Sequence, residues 1–359
     1  MTKQTKSSFS RSDLIIIGGS ILAMAFAALT RYVGGGAILA FACSALAVAL
    51  LASLVGRSVE QLGDRFGPGA TGVLQSALGN LPELFIALFA LKAGLVVVVQ
   101  AALIGSILAN LLLVMGLCFV VGGLKHGTQQ LSTARTRSIT VMMVLSVAAL
   151  ILPSLASYIH APAADHENTL SVIVSVVLLV LFLLTLPASL KNTAGPKTDS
   201  PAHEPPRWSL SLAIIMLALA AGAAAFVSDW FVHALEPTMT ALHISDAFAG
   251  LVIVAIASNA IENVVGLQLA WRNQADYAYS VVVNSPLQIA LVLAPVLVIA
   301  SQIFGFAAFT LVFPPMLVVS VAIAVIICAF ITFDGESDWI EGAALIALYA
   351  IIATSFWWG

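Results

Sequence analysis

Two glutamates carry the chemistry that this sequence offers: Glu83 in Gly79-Asn80-Leu81-Pro82-Glu83 and Glu262 in Ser258-Asn259-Ala260-Ile261-Glu262. Each stands three residues after an asparagine, Asn80 or Asn259, which on a helix places the two side chains on one face. Each is followed, at the same offset of 23 residues, by a serine: Ser106 in Gly105-Ser106-Ile107-Leu108-Ala109-Asn110, and Ser285 in Asn284-Ser285-Pro286-Leu287-Gln288. Ser106 with Asn110, and Ser285 with Gln288, again share helical faces.

Both stretches lie inside apolar runs of membrane-spanning length. A carboxylate near the bilayer centre costs about 2.5–3.5 kcal/mol even on the gentler insertion scales, so it needs a proton, a partner or a cation. One reading is a protonated glutamic acid hydrogen-bonded between helices. The amides and hydroxyls, taken singly, serve as interhelical hydrogen bonds worth about 0.6 kcal/mol each. Taken together, Glu83, Glu262, Asn80, Asn259, Ser106, Asn110, Ser285 and Gln288 form an all-oxygen donor set of the kind that hard cations such as calcium take. Pro82 adds a backbone donor of its own making: with no N–H at residue 82, the carbonyl of Leu78 lacks its i+4 partner and becomes a ninth candidate ligand, or the site of a simple kink. In the second stretch Ile261 replaces the proline, and the corresponding break is expected at Pro286, freeing Val282.

Other chemistries have little support. All six histidines are expected in loops and the three cysteines lie far apart in apolar runs, which disfavours zinc, copper and disulfides. No metalloprotease, nucleophile-elbow or P-loop pattern occurs, so neither an enzyme nor a bound cofactor is expected. The 14 basic residues form no cluster able to track phosphates, which makes nucleic acid an unexpected partner. Glu60, Asp229 and Glu341 fall near span ends, and Asp334, Glu336 and Asp338 crowd one turn that reads as a solvated loop.

The elements that must position these residues follow from composition. The chain is 61% hydrophobic and 9% charged over 359 residues, which suits lipid as the main solvent and excludes a water-soluble core and surface. Apolar segments near 14–30, 34–56, 71–91, 95–123, 138–159, 168–190, 208–232, 246–271, 278–304, 309–331 and 338–356 predict an all-α polytopic transmembrane protein of eleven helices. A cytoplasmic N-terminus places twelve lysines and arginines inside and leaves Arg31 and Lys92 outside. All six tryptophans fall near span ends, as interfacial anchors do. The proline-rich stretch 191–207 reads as a cytoplasmic linker. The expected organisation is a tail and extra helix at 1–33, one five-helix repeat at 34–190, the linker, and a second five-helix repeat at 208–359. Five spans is an odd number, so the second repeat enters the membrane in the opposite sense. Inverted repeats are the signature of secondary transporters, with the substrate site at the repeat interface. The expected setting is a cell membrane, with a bacterial inner membrane preferred; oligomeric state is left open.

At these residues the sequence resembles the cation/proton exchanger branch of the calcium/cation antiporter superfamily, the CAX-type calcium/proton antiporters. The likeness runs from about Ser58 to Trp358. It includes Gly79-Asn80 through Leu91-Lys92-Ala93-Gly94, Val99-Gln100-Ala101, Gly105 through Gly116, Gln288-Ile289-Ala290-Leu291, and Asp334-Gly335-Glu336-Ser337 through Trp339-Ile340-Glu341-Gly342. The resemblance implies an eleven-helix fold and exchange of calcium for protons, with Glu83 and Glu262 as the central carboxylates. Exchange of another cation (sodium/proton, potassium/proton, manganese/proton or sodium/calcium) or a cation channel are the competing readings. The chain departs from the family pattern at Ser258, Ile261 and Asn263, where Gly-Asn-Ala-Ala-Glu-His is usual, and at Asn284, where glycine is usual. It also lacks the acidic stretch often found between the halves.

Overall fold

A backbone without water must satisfy its own N–H and C=O groups, and long runs of Leu, Ala, Val and Ile do so as helices. The computed structural model describes residues 9–65, 74–75, 78–191 and 206–358, with the side chains of 133–135, 187–191 and 260–262 excepted. In chain order come α1 (Arg11–Tyr32), α2 (Ala37–Gly63), α3 (Leu81–Lys92), α4 (Val96–Leu108), a π turn (Ala109–Val114), α5 (Met115–His126), α6 (Thr133–Tyr158), α7 (Glu167–Lys191) and α8 (Leu210–Leu242). They are followed by α9 (Asp246–Phe248), a second π turn (Ala249–Val254), α10 (Ala255–Ser258), α11 (Ala260–Trp271), α12 (Ala275–Gln288), a third π turn (Ile289–Leu293), α13 (Ala294–Phe304), α14 (Pro315–Ile331) and α15 (Trp339–Ser355).

Among the described residues seven helices are long and apolar enough to cross a membrane, and a bent pair, Asp246–Ser258 with Asn263–Trp271 at 59°, makes an eighth. The protein is therefore an all-helical, multi-pass membrane protein. Helices α14 and α15 are apolar and shorter, and α3 spans 12 residues. The expected linker, 191–207, lies outside the described residues except at its two ends. Large side chains such as Ile15, Phe226, Phe330 and Phe333 are exposed, as a lipid-facing surface requires.

The chain packs as two compact units, each drawn from both halves of the sequence: Met1–Phe89 with Leu183–Ala241, and Ala90–Phe182 with Leu242–Gly359. In the first unit a capping box at Ser10 and Asp13 starts α1. Asp13 then reaches Arg57 Nε at 3.0 Å and accepts from Trp208 Nε1 at 3.3 Å. Gln61 Oε1 accepts from the backbone N–H groups of Arg207 and Trp208. Trp208 is thus fully buried among Leu54, Val55 and Val59, and does not serve as the interfacial anchor expected of it. Its indole nitrogen has a carboxylate inside the protein, so it has no need of the membrane surface. Helix α8 runs to Leu242, about ten residues beyond the expected span, and carries His233 within it, one histidine that is not in a loop.

In the second unit the helices come together backbone to backbone. A Cβ at Gly116 would stand 2.7 Å from the carbonyl oxygen of Gly342, so α5 and α15 meet through facing glycines. A Cβ at Gly105 would collide with the backbone of Leu251, and one at Gly250 with that of Val98, which makes the crossing of α4 with the second π turn equally tight. Three loops expected on one side of the membrane meet at one end of this unit. Gln129–Gln130 pairs antiparallel with Glu336–Ser337, Gln129 donates to Asn273, Ser132 N–H donates to Asp276, and Lys125 lies 3.8 Å over the Trp271 ring. Elsewhere in this unit the irregular segment 305–314 buries Phe309, Leu311 and Phe313. Its backbone is satisfied by side chains: Ser154 and Ser171 accept from Phe313 and Leu311 N–H, and Gln100 donates to the Val312 carbonyl at 2.7 Å. Non-helical chain at membrane depth is tolerated where protein covers it in this way.

Candidate cation site

The second unit assembles four of the candidate ligands. Asn259 stands where α10 ends and α11 begins, with φ −93° and ψ 19°, outside helical geometry, although its N–H still donates to the Ala255 carbonyl and its carbonyl accepts from Asn263 N–H, both at 3.2 Å. Asparagine is a favoured N-cap, yet its side chain makes no cap bond to α11. Its amide turns instead to neighbouring helices. Nδ2 donates to Ser106 Oγ at 2.8 Å, to the Ala255 carbonyl at 2.8 Å and to Ser258 Oγ at 3.3 Å. Oδ1 accepts from Asn110 Nδ2 at 2.8 Å and from Ser285 Oγ at 3.3 Å.

Asn110 also donates to the Ser106 carbonyl at 2.9 Å, and its own Oδ1 is buried with no hydrogen-bond partner. Ser106, Asn110, Asn259 and Ser285 are all buried. An acceptor oxygen left bare in a network that otherwise satisfies itself is what a hard cation would complete, since an unmatched buried polar atom costs about 1–3 kcal/mol. Gln288 follows Ser285 by one helical turn and is half-buried. Ser258 and the Ala255 carbonyl join the network without having been singled out in the sequence. The Asn259 amide reaches them from the following turn, and nothing in the composition marks this.

Glu262 is the third residue of α11; its side chain lies outside the described residues. In the first unit Glu83 is likewise the third residue of α3, and it is buried. Asn80 directly precedes α3, and its carbonyl accepts from Leu84 N–H at 2.9 Å. Each glutamate therefore sits in the first turn of a half-helix that starts immediately after the asparagine. A carboxylate there faces the positive end of the helix dipole, which lowers the cost of its burial by about 0.3–1 kcal/mol. Leu78, half-buried, lies on the far side of the Gly79–Asn80 turn. Pro82 is the second residue of α3, where an N–H has no intrahelical acceptor in any case. Pro286 does not break its helix either: the span runs unbroken from Ala275 to Phe304. The π turn that follows widens the ladder and absorbs the proline.

Two π turns fall at matching places in the sequence, beginning three residues after Ser106 and four after Ser285. The remaining acids have structural partners: Glu60 pairs with Arg57, Asp338 and Glu341 form the capping box of α15, Asp334 accepts from Glu336 N–H, and Asp229 lies 3.5 Å from His233.

The sodium/calcium exchanger protein family model matches the chain twice, at residues 36–191 and 212–358. The chain is 37% identical over 322 residues to the Ca2+/H+ antiporter ChaA of Bacillus subtilis, covering 88% of this chain and 91% of that one. It is 33% identical over 358 residues to a Ca2+/H+ antiporter of Aphanothece halophytica, covering 95% and 96%. Among solved structures, native YfkE superposes with a TM-score of 0.81 at 32% identity, over 96% of this chain and 99% of that one. The H+/Ca2+ exchanger CAX shares the fold, with a TM-score of 0.76 at 17% identity over 97% and 92%. Matched along nearly its whole length by the model and by these relatives, this chain belongs to the sodium/calcium exchanger protein family.

Proposed function

We propose that the protein is a secondary active antiporter that exchanges calcium for protons by alternating access. The observation that carries this reading is the Ser106–Asn110–Asn259–Ser285 network, buried, built wholly of oxygen and amide donors, and left with one bare acceptor at Asn110 Oδ1. Calcium takes six to eight oxygens of these types. Asn80, Gln288 and the Leu78 carbonyl add ligands on the same chemical grounds, and Glu83 and Glu262 supply the charge. The relatives named as Ca2+/H+ antiporters point to the same ion pair.

The mechanism is a matter of charge. Two glutamates balanced by one divalent cation are neutral, as are two glutamates carrying two protons, whereas the empty dianion is expensive to occlude in a low-dielectric interior. Only the loaded forms cross, so cation and proton compete for the same carboxylates and two protons move per calcium. Alternation between them needs two arrangements of the chain. The twofold match of the family model supports the organisation into a first helix, repeats at 34–190 and 208–359 and a joining linker, eleven helices in all. The charge bias of the loops supports a cytoplasmic N-terminus in a cell membrane.

The test is cation-driven proton flux in proteoliposomes under an imposed pH gradient, comparing calcium, manganese, sodium and potassium. Calcium is expected to drive the largest flux. A larger response to sodium or potassium assigns the same fold to another exchange, and flux that needs no counter-ion gradient assigns it to a channel.

A further inference from the structure

We propose that the first turn of α6 binds the phosphate-bearing headgroup of an anionic phospholipid. A cavity of about 430 Å³ lies between the start of α6 and the end of α14. That is within the range of small-molecule sites. Its α6 wall is formed by Thr136, Arg137, Thr140 and Val141, one helical face, and its α14 side by Thr332 and Phe333.

Three features give the cavity its character. Thr136 is 2% exposed, and its hydroxyl is buried with no hydrogen-bond partner. Among the described residues no carboxylate pairs with Arg137, which is exposed. Asp276 accepts from the N–H of Ser132, the N-cap of α6, and does not line the cavity. The opposing C-terminus of α14 is quenched, because Thr332 hydroxyl and N–H both donate to the Cys328 carbonyl and Phe333 N–H donates to that of Phe330. What remains is an arginine and a spare hydroxyl side by side on one helical face, a pair that suits a phosphate.

The other wall says which phosphate. Phe333 is 82% exposed and Val141 50% exposed, so the polar end of the cavity is continuous with side chains that belong in lipid. A free phosphate has no use for them; an acyl chain does. The arginines of this loop also fall on the side read as cytoplasmic, where anionic lipids attract basic residues.

Native mass spectrometry of the purified full-length protein tests this, with phosphatidylglycerol, phosphatidylcholine and inorganic phosphate as probes. Phosphatidylglycerol is expected to be retained about fivefold over phosphatidylcholine, with the preference falling to near parity in Thr136→Val and Arg137→Gln. Valine keeps the shape of threonine, so Thr136→Val is expected to fold even if the arginine variant does not. Parity in the unaltered protein, or an undiminished preference in both folded variants, overturns the proposal. Displacement of the lipid by millimolar inorganic phosphate overturns it too, by giving the site to free phosphate. Because lipid retention is read directly, the outcome is independent of whether calcium is the transported ion.

Discussion

Two helices begin directly after an asparagine, at Leu81 and at Ala260, and different residues shape the turn before each. At Gly79-Asn80 the turn is tight: a Cβ on Gly79 would stand 2.5 Å from the Gln75 carbonyl oxygen, so only glycine fits. At Ser258-Asn259 there is no glycine and no proline, and the break is held by the Asn259 side chain, which donates to Ala255 and to Ser106 across the helix crossing. In both, a half-helix begins at the next residue and its third position is a glutamate. What the two share is the placement of a glutamate at the third position of a helix, while the residues before that helix differ.

That comparison fails at once if the glutamates are unequal. On the proposed charge-balance mechanism, removing one carboxylate charge costs about 3–5 kcal/mol, or roughly a hundredfold or more in flux. Glu83→Gln and Glu262→Gln are each expected to reduce calcium-driven proton flux to background. Wild-type flux in either one shows that the matching spacing is not a matching role.

A smaller effect separates the two means of breaking the ladder. Asn259→Ala removes every bond its amide makes, those to Ser106, Asn110 and Ser285 included, so flux is expected to fall about 10- to 100-fold with a lowered melting temperature. Ser285→Ala loses two long bonds, one donated to Asn259 at 3.3 Å and one accepted from Asn110 at 3.4 Å, and is expected to cost less than about tenfold. If the serine matters more than the asparagine, the break is not held by the side chain.

Much of this was legible in the sequence, because membrane physics writes in large letters: apolar runs, basic loops, and acids where none belong. Ser106, Asn110, Asn259 and Ser285 could be grouped from spacing alone, and the structure brings those four together. Three things could not be read. A π turn adds one residue to a helical loop without any compositional mark, so the turns at Ala109–Val114 and Ile289–Leu293 were invisible, and Pro286 looked like a breaker. The break at Asn259 depends on a partner 153 residues away. Trp208 looked like an interfacial anchor because its burial depends on Asp13 and Gln61, which chain order does not place beside it.

The finest distinction lies within the first break, between Gly79 and Pro82. A proline inside a transmembrane segment invites the reading that it makes the kink. Its place as the second residue of α3 argues otherwise, since the first N–H groups of any helix lack intrahelical acceptors and proline there forfeits nothing. Replacing it gives the unfolded chain more freedom at a cost of about 0.4–1 kcal/mol, and leaves the turn standing. Gly79→Ala must push a methyl against the Gln75 carbonyl, which costs about 1–3 kcal/mol in strain at the point where Asn80 and Glu83 are aimed. Flux is therefore expected to fall about tenfold in Gly79→Ala and less than about fivefold in Pro82→Ala, measured side by side in the same proteoliposomes. The reverse order would return the break to the proline. It would also tie the availability of the Leu78 carbonyl, one of the proposed ligands, to the missing N–H at residue 82.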